Sequence, residues 1–299
     1  MWKRILLFIG TNIAVIAIFS IFLYIIQWVF WIDLRGGGYV WLLIFSALFW
    51  FIWAFVSLAI SRWSAKKAYG ITPVQPDQVY DLNDKEKLVY EVVQQLAERH
   101  NITMPEVGFY ESSEPNAFAT GPSKNKSLVA VSTGLMDTMN KDAIEWVVAH
   151  EMAHVLNGDM VTMTLLQWVV NTFVIFFAKI VADIISGFVN ENMAGMVRLI
   201  ADIALQIVFG LLASIITMKF SRYREFKADA GSARYVGKDK MIAGLKALQV
   251  MKDRMVTENN DKLASMKISS KPVGWIRELF SSHPPLEQRI QALEELIIN

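Results

Sequence analysis

The chain has no cysteine. That excludes disulfides and thiolate ligands, so any metal site must be built from histidine and carboxylate. Lack of cysteine also fits a reducing compartment. Histidine is scarce too: His100, His150, His154 and His283 are the whole supply. Charged residues make up only 19% of the chain and nearly cancel, with 29 Lys+Arg against 28 Asp+Glu. With no basic surplus there is no electrostatic footprint for a nucleic-acid partner. There is no internal repeat and no low-complexity tract.

Apolar residues fill the space that charge leaves. They form 54% of the chain, with a mean hydropathy of +0.35, and they come in blocks. Ile5 to Ile32 carries no charge. That is longer than the roughly 7–15-residue apolar core of a secretory signal and long enough for a transmembrane helix of about 20 residues. Asp33 to Gly38 reads as a tight turn, and Tyr39 to Ile60 as a second span. Met160 to Ala178 is a third charge-free stretch. Leu199 to Met218 is a fourth, interrupted by Asp202. At about 1.5 Å per residue the third just matches a hydrocarbon core of about 30 Å. A hairpin that only dips into the bilayer, or packs on the soluble part, is the alternative for this second pair. If the pair spans, Lys179, Arg198 and Asp202 share the far end, where Lys179 and Asp202 can pair. Lys3, Arg4, Arg62, Lys66, Lys67, Lys219, Arg222, Arg224 and Lys227 flank one side of the four stretches, against Arg35, Lys179 and Arg198 on the other. The positive-inside rule then puts the N-terminus and the polar part in the cytoplasm.

The polar remainder reads as an α+β domain. Residues 68–83 form a linker with Gly70, Pro73 and Pro76. Asp84 to His100 is an amphipathic helix with Leu88, Val92, Val93 and Leu96 on one face. Met104 to Tyr110 and Ser127 to Thr133 read as short strands, with a Pro- and Gly-punctuated segment, Glu114 to Gly121, between them. A helix capped by Asn140 carries Ile144, Val147, Val148, Met152 and Val155 inward and runs on towards Met160. Further helices are expected at Ser221 to Tyr235, Lys238 to Asp253 and Pro285 to Ile298, with a polar, irregular stretch at 254–282. The expected organisation is a mainly α membrane protein, with four hydrophobic helices and a small sheet. An N-terminal hairpin (1–62) precedes the first part of a soluble domain (63–159). An inserted hydrophobic hairpin (160–218) separates it from the second part (219–299).

The chemistry is concentrated in His150-Glu151-Met152-Ala153-His154. Two imidazoles four residues apart share one helical face and reach one metal ion, and Glu151 reaches a water beside it. A catalytic zinc site usually needs a third protein ligand. His100 ends a soluble helix. Asp159 lies five residues past His154 and off its face. Glu225 is the better candidate: it lies seven residues after Met218, the end of the fourth apolar stretch, and His154 lies seven before Val161 at the start of the third, so on continuous helices an antiparallel hairpin brings the two to one level. Asp229, one turn on, is placed to orient a ligand histidine.

These motifs resemble one family. His150 to Leu165, Arg222-Tyr223-Arg224-Glu225-Phe226-Lys227-Ala228-Asp229 and Ser282-His283-Pro284-Pro285-Leu286-Glu287-Gln288-Arg289-Ile290 are similar to those of the HtpX family of bacterial membrane-bound zinc metalloproteases, relatives of the CAAX prenyl endopeptidases. The resemblance covers the whole chain. It implies a zincin-like domain with one zinc per subunit on His150, His154 and Glu225, and Glu151 as general base. Asp229 is then an orienting residue, His283 and Arg289 lie near the oxyanion, and Asn116 sits on an edge segment lining the substrate cleft. It further implies cleavage of damaged or misassembled membrane proteins at the cytoplasmic face of the inner membrane, as quality control under stress. A membrane scaffold with a structural zinc and a prenyl-protein processing protease are the rival readings.

Overall fold

The computed structural model describes Ile25, residues 38–249 and residues 281–297. The first expected span, most of the turn after it and the 254–280 part of the polar stretch lie outside the described residues. The chain divides into two compact units.

One unit comprises Ser57–Met163 and Met218–Asn299. The end of helix α1 (Gly38–Tyr69) leads into strand β1 (Thr72–Pro73) and, after a 3-10 turn, helix α2 (Asp84–Arg99). Strands β2 (Glu106–Tyr110), β3 (Ala117–Ser123) and β4 (Lys126–Ser132) follow. The sheet order is β1-β2-β4-β3. β2 and β4 run parallel in the register Val107 to Val129 and Phe109 to Val131, whereas β3 folds back antiparallel on β4. β3 therefore forms one edge of the sheet. In the sequence Pro115 and Gly121 punctuate this segment. The strand forms regardless, because Gly121 adopts φ +153° and a Cβ there would sit 2.2 Å from Lys126 O. The glycine permits a bulge in the hairpin rather than ending the strand.

Helix α3 (Thr133–Thr138) is followed by α4 (Lys141–Asn157), the centre of this unit. Asn140 caps α4 by accepting a hydrogen bond from the Ala143 backbone N–H. Ile144, Val148, Ala149, Met152 and Val155 are fully buried, against Val89 and Val93 of α2 and Val129 and Val131 of the sheet. A helix covered on nearly every side has little amphipathic character, so its apolar residues surround the motif instead of lining one stripe.

α4 does not run on into the third apolar stretch as expected. It ends at Gly158, which takes the left-handed conformation at φ +71° and donates its backbone N–H to the Val155 carbonyl. A new helix, α5 (Asp159–Ser186), starts at the next residue. Only glycine takes this turn without a steric cost. Gly158→Ala is expected to destabilise the fold by roughly 1 kcal/mol; a thermal unfolding midpoint equal to wild type would contradict this account of the break.

The fourth apolar stretch and the helix expected after it are one element, α6 (Glu191–Val236). Residues 238–249 form helix α7 and Leu286–Glu294 helix α8. In the other unit, Met1–Val56 and Thr164–Thr217, α1, α5 and α6 contribute their apolar lengths. Three described helices, α1, α5 and α6, are long and apolar enough to cross a membrane. Trp168 of α5 donates its indole N–H to the Ala47 carbonyl of α1. Lys179 and Asp202 pair at 2.8 Å, with Gln206 donating to the other carboxylate oxygen. Pairing and hydrogen bonding satisfy charges that an apolar hairpin could not otherwise hold.

Candidate metal centre

α4 presents His150, Glu151 and His154. The imidazoles are buried, while Glu151 between them is only half buried. α6 presents Glu225 and Asp229, four residues apart on one face and both buried. Glu225 meets the two histidines. His150 Nε2 and His154 Nε2 are 3.2 Å apart. His154 Nε2 lies 3.3 Å from Glu225 Oε1, and His150 Nε2 lies 3.4 Å from Glu225 Oε2. Ligands at zinc distances of about 2.0–2.2 Å in a tetrahedron are separated by roughly 3.3–3.6 Å. The two imidazoles thus stand one tetrahedral edge apart, and each faces a different oxygen of the one carboxylate, so that all three side chains offer a ligand atom within 4.8 Å of the others.

The outer nitrogens explain why the inner ones face one another. His150 Nδ1 is 3.0 Å from Asp229 Oδ1, and His154 Nδ1 is 2.6 Å from Asp159 Oδ2. A carboxylate only accepts, so the bond to Asp159 holds the hydrogen of His154 on Nδ1, and the nearby Asp229 oxygen favours the same tautomer of His150; both leave the Nε2 lone pair pointing inward. Two lone pairs and a carboxylate converging in a buried space repel unless a cation lies among them. The residues present therefore fit a divalent ion. The electrostatics point the same way. Burial would push the His154 pKa down, but hydrogen bonds to Asp159 and then Glu225 outweigh it and push it up to about 9. Burial opposes charge on Glu225, yet His150, His154 and His283 hold its carboxyl well below the usual range. The cluster draws positive charge to its centre, as protons or as metal.

Around this core, Asp229 is held by Arg289 of α8, whose Nε and Nη2 donate to its two oxygens at 2.7 and 2.5 Å. Arg289 is itself buried, with Nη1 3.7 Å from Glu225 Oε2. That position lies behind the ligand triangle, on Asp229. His283 is mostly exposed and puts Nδ1 3.0 Å from Glu225 Oε2. The segment carrying it is fastened by Arg222, whose Nη1 donates to the Ser281 carbonyl at 2.9 Å. Asn116 stands just before the edge strand β3. Its side-chain N–H donates to the Tyr110 hydroxyl at 2.9 Å, and its backbone N–H to Ser132 Oγ at 2.9 Å. His100 takes no part: it caps α2 and meets Tyr235 edge-on.

Asp159 is the residue that sequence reasoning passed over. Five residues along a continuous helix would carry it off the face of His154. The left-handed Gly158 restarts the helix and returns Asp159 to that histidine. The Asn157-Gly158 pair was the available signal.

A helix-borne His-Glu-x-x-His pair, joined by a glutamate from a second long helix and flanked by a small mixed sheet, defines the class of metallopeptidases. The comparison of the chain with family models narrows this. Residues 83–297 match the model of peptidase family M48, and the chain belongs to that family. It is 50% identical to the protein named Protease HtpX of Idiomarina loihiensis, over 98% of this chain and 99% of that one. It is 46% identical to the Protease HtpX homolog of Bacillus subtilis, again over 98% and 99%. Among solved structures, the crystal structure of S. mikatae Ste24p matches with a TM-score of 0.59 at 17% identity, over 95% of this chain and 67% of that chain. That likeness is one of fold.

Proposed function

We propose that this peptidase is a zinc-dependent endopeptidase that cuts misfolded or damaged membrane proteins on the cytoplasmic side of the inner membrane, in protein quality control and the stress response. The carrying observation is the convergence of His150 Nε2, His154 Nε2 and the Glu225 carboxylate, with a half-buried Glu151 beside them. These three residues would hold one zinc per chain. Bound there, zinc supplies the Lewis acidity that activates a water and polarises a peptide carbonyl.

The chain's own residues do the rest. Glu151 takes the proton of the attacking water and passes it to the leaving amine. Asp229 keeps His150 in the ligating tautomer, and Arg289 keeps Asp229 in place. His283, exposed at the site, is placed to donate to the developing oxyanion. An extended substrate adds along the outer side of β3, the sheet edge that begins just after Asn116. The three long apolar helices support a membrane setting for both enzyme and substrate.

Purified in detergent, the protein is expected to hold about one zinc per chain and to cleave an unfolded membrane protein in preference to a prenylated peptide. No bound zinc, or no cleavage, would end this reading. Orientation has its own test, simplified by a chain with no cysteine. Tyr80→Cys, at a position 89% exposed, should react with an impermeant thiol reagent only after the membrane is opened. Arg35→Cys should react in intact cells. The reverse pattern would invert the topology.

A further inference from the structure

We infer that Asp159, the first residue of the inserted apolar helix, is a positioning residue of the metal centre, and that Arg224 completes it. The inference rests on the reading of His150, His154 and Glu225 as metal ligands.

Asp159 is buried at 5% exposure. A carboxylate at a helix N-terminus ordinarily turns to cap its own backbone N–H groups and remains wet. Asp159 instead sends Oδ2 out of its helix to His154 Nδ1 at 2.6 Å. The same oxygen lies 3.5 Å from Nε of Arg224, which is also largely removed from solvent. Burial of a carboxylate is unfavourable unless a partner and a counter-charge compensate it. Here the partner is a ligand imidazole and the counter-charge is the residue immediately before the third ligand.

The arrangement repeats on the other histidine. His150 Nδ1 meets Asp229, and Asp229 meets Arg289. Each imidazole therefore has its own carboxylate, and each carboxylate its own arginine. The two rings stand nearly perpendicular, at 87° with centroids 4.7 Å apart. That relation requires each ring to be fixed independently. Asp229 cannot fix both, because it sits on the helix of Glu225 and reaches only His150. Asp159 supplies the second fixing point from a third helix. Its consequence is structural as well as chemical. α4 supplies His154, α5 supplies Asp159 and α6 supplies Arg224 and Glu225, so the inserted apolar helix begins as part of the metal centre.

The test is metal retention by the full-length chain in detergent, read as the rate at which a chromogenic chelator removes zinc. Asp159→Ala should release zinc about 10–100-fold faster than wild type, the usual cost of losing a carboxylate behind a ligand histidine. Asp159→Asn should stay close to wild type, because its amide oxygen still accepts the Nδ1–H. Release from Asp159→Ala at the wild-type rate would overturn the inference. So would Asp159→Asn releasing as fast as the alanine variant, since buried charge and not a directed acceptor would then be the requirement. A second measurement needs no variant. In the zinc-loaded wild type, the side-chain nitrogen resonances of His154 should show hydrogen on Nδ1, with that proton shifted far downfield by its carboxylate. Hydrogen on Nε2, or an ordinary proton position, would overturn it equally. A wild-type chain without zinc would refute the metal site itself. A zinc-binding wild type with an indifferent Asp159→Ala would refute the role of Asp159 alone.

Discussion

Glu151→Gln is expected to bind zinc as wild type does and to lose cleavage by roughly 10²–10⁴-fold, the range attributable to a general base. The ligand atoms that gather within 4.8 Å of one another belong to His150, His154 and Glu225 among the described residues, so Glu151 is not needed to hold the ion. It sits between two buried imidazoles yet is itself only partly buried, where water and substrate can reach it. The amide keeps the shape and the hydrogen-bonding reach of the carboxylate but cannot take a proton near neutral pH. Equal zinc in the two proteins, with turnover lost in one, isolates proton transfer from metal binding. A zinc that merely braced the fold would need no base. Persistent cleavage by Glu151→Gln would therefore remove Glu151 from the mechanism, and a parallel loss of zinc would make it a structural residue.

What the sequence discloses depends on whether the geometry involved is local. The spacing of His150 and His154 is enough to place two imidazoles on one turn, because helix periodicity fixes it. Glu225 is within reach of the same reasoning, since the two apolar stretches between it and His154 are of similar length and have to fold back. Local conformational exceptions are harder to read. Gly158 carries a left-handed φ that ends α4 and makes Asp159 a neighbour of His154. Gly121 carries another backbone value open only to glycine and keeps β3 in the sheet. Both residues look like punctuation in a sequence, yet one starts a helix and the other preserves a strand. Hardest of all are pairs joined only by tertiary packing. Nothing in the 60-residue separation of Asp229 and Arg289 indicates a two-pronged bond, and nothing near Arg222 points to the Ser281 carbonyl.

Glu225→Ala should reduce bound zinc from about one per chain to a trace, a larger loss than the ~10–100-fold expected for removing a residue behind a ligand. The argument is one of ligand count. Two imidazoles leave zinc short of the three protein ligands that a catalytic site ordinarily provides. The substitution also strips the carboxylate from a buried surround that was organised to meet it. His283 Nδ1 at 3.0 Å and Arg289 Nη1 at 3.7 Å would then face the ion's position with no intervening negative charge. Glu225→Gln keeps the volume and should still lose most of the zinc, because a neutral amide oxygen is a far weaker ligand than a carboxylate. The competing possibility lies within the same cluster. Asp159 and Asp229 are buried and already touch the ligand histidines. Either could swing inward only by releasing an Nδ1 that it holds, and the histidine would then lose the tautomer that lets it ligate. Full zinc occupancy in Glu225→Ala would mean that one of these carboxylates had made that exchange, and the ligand set would have to be redrawn around it.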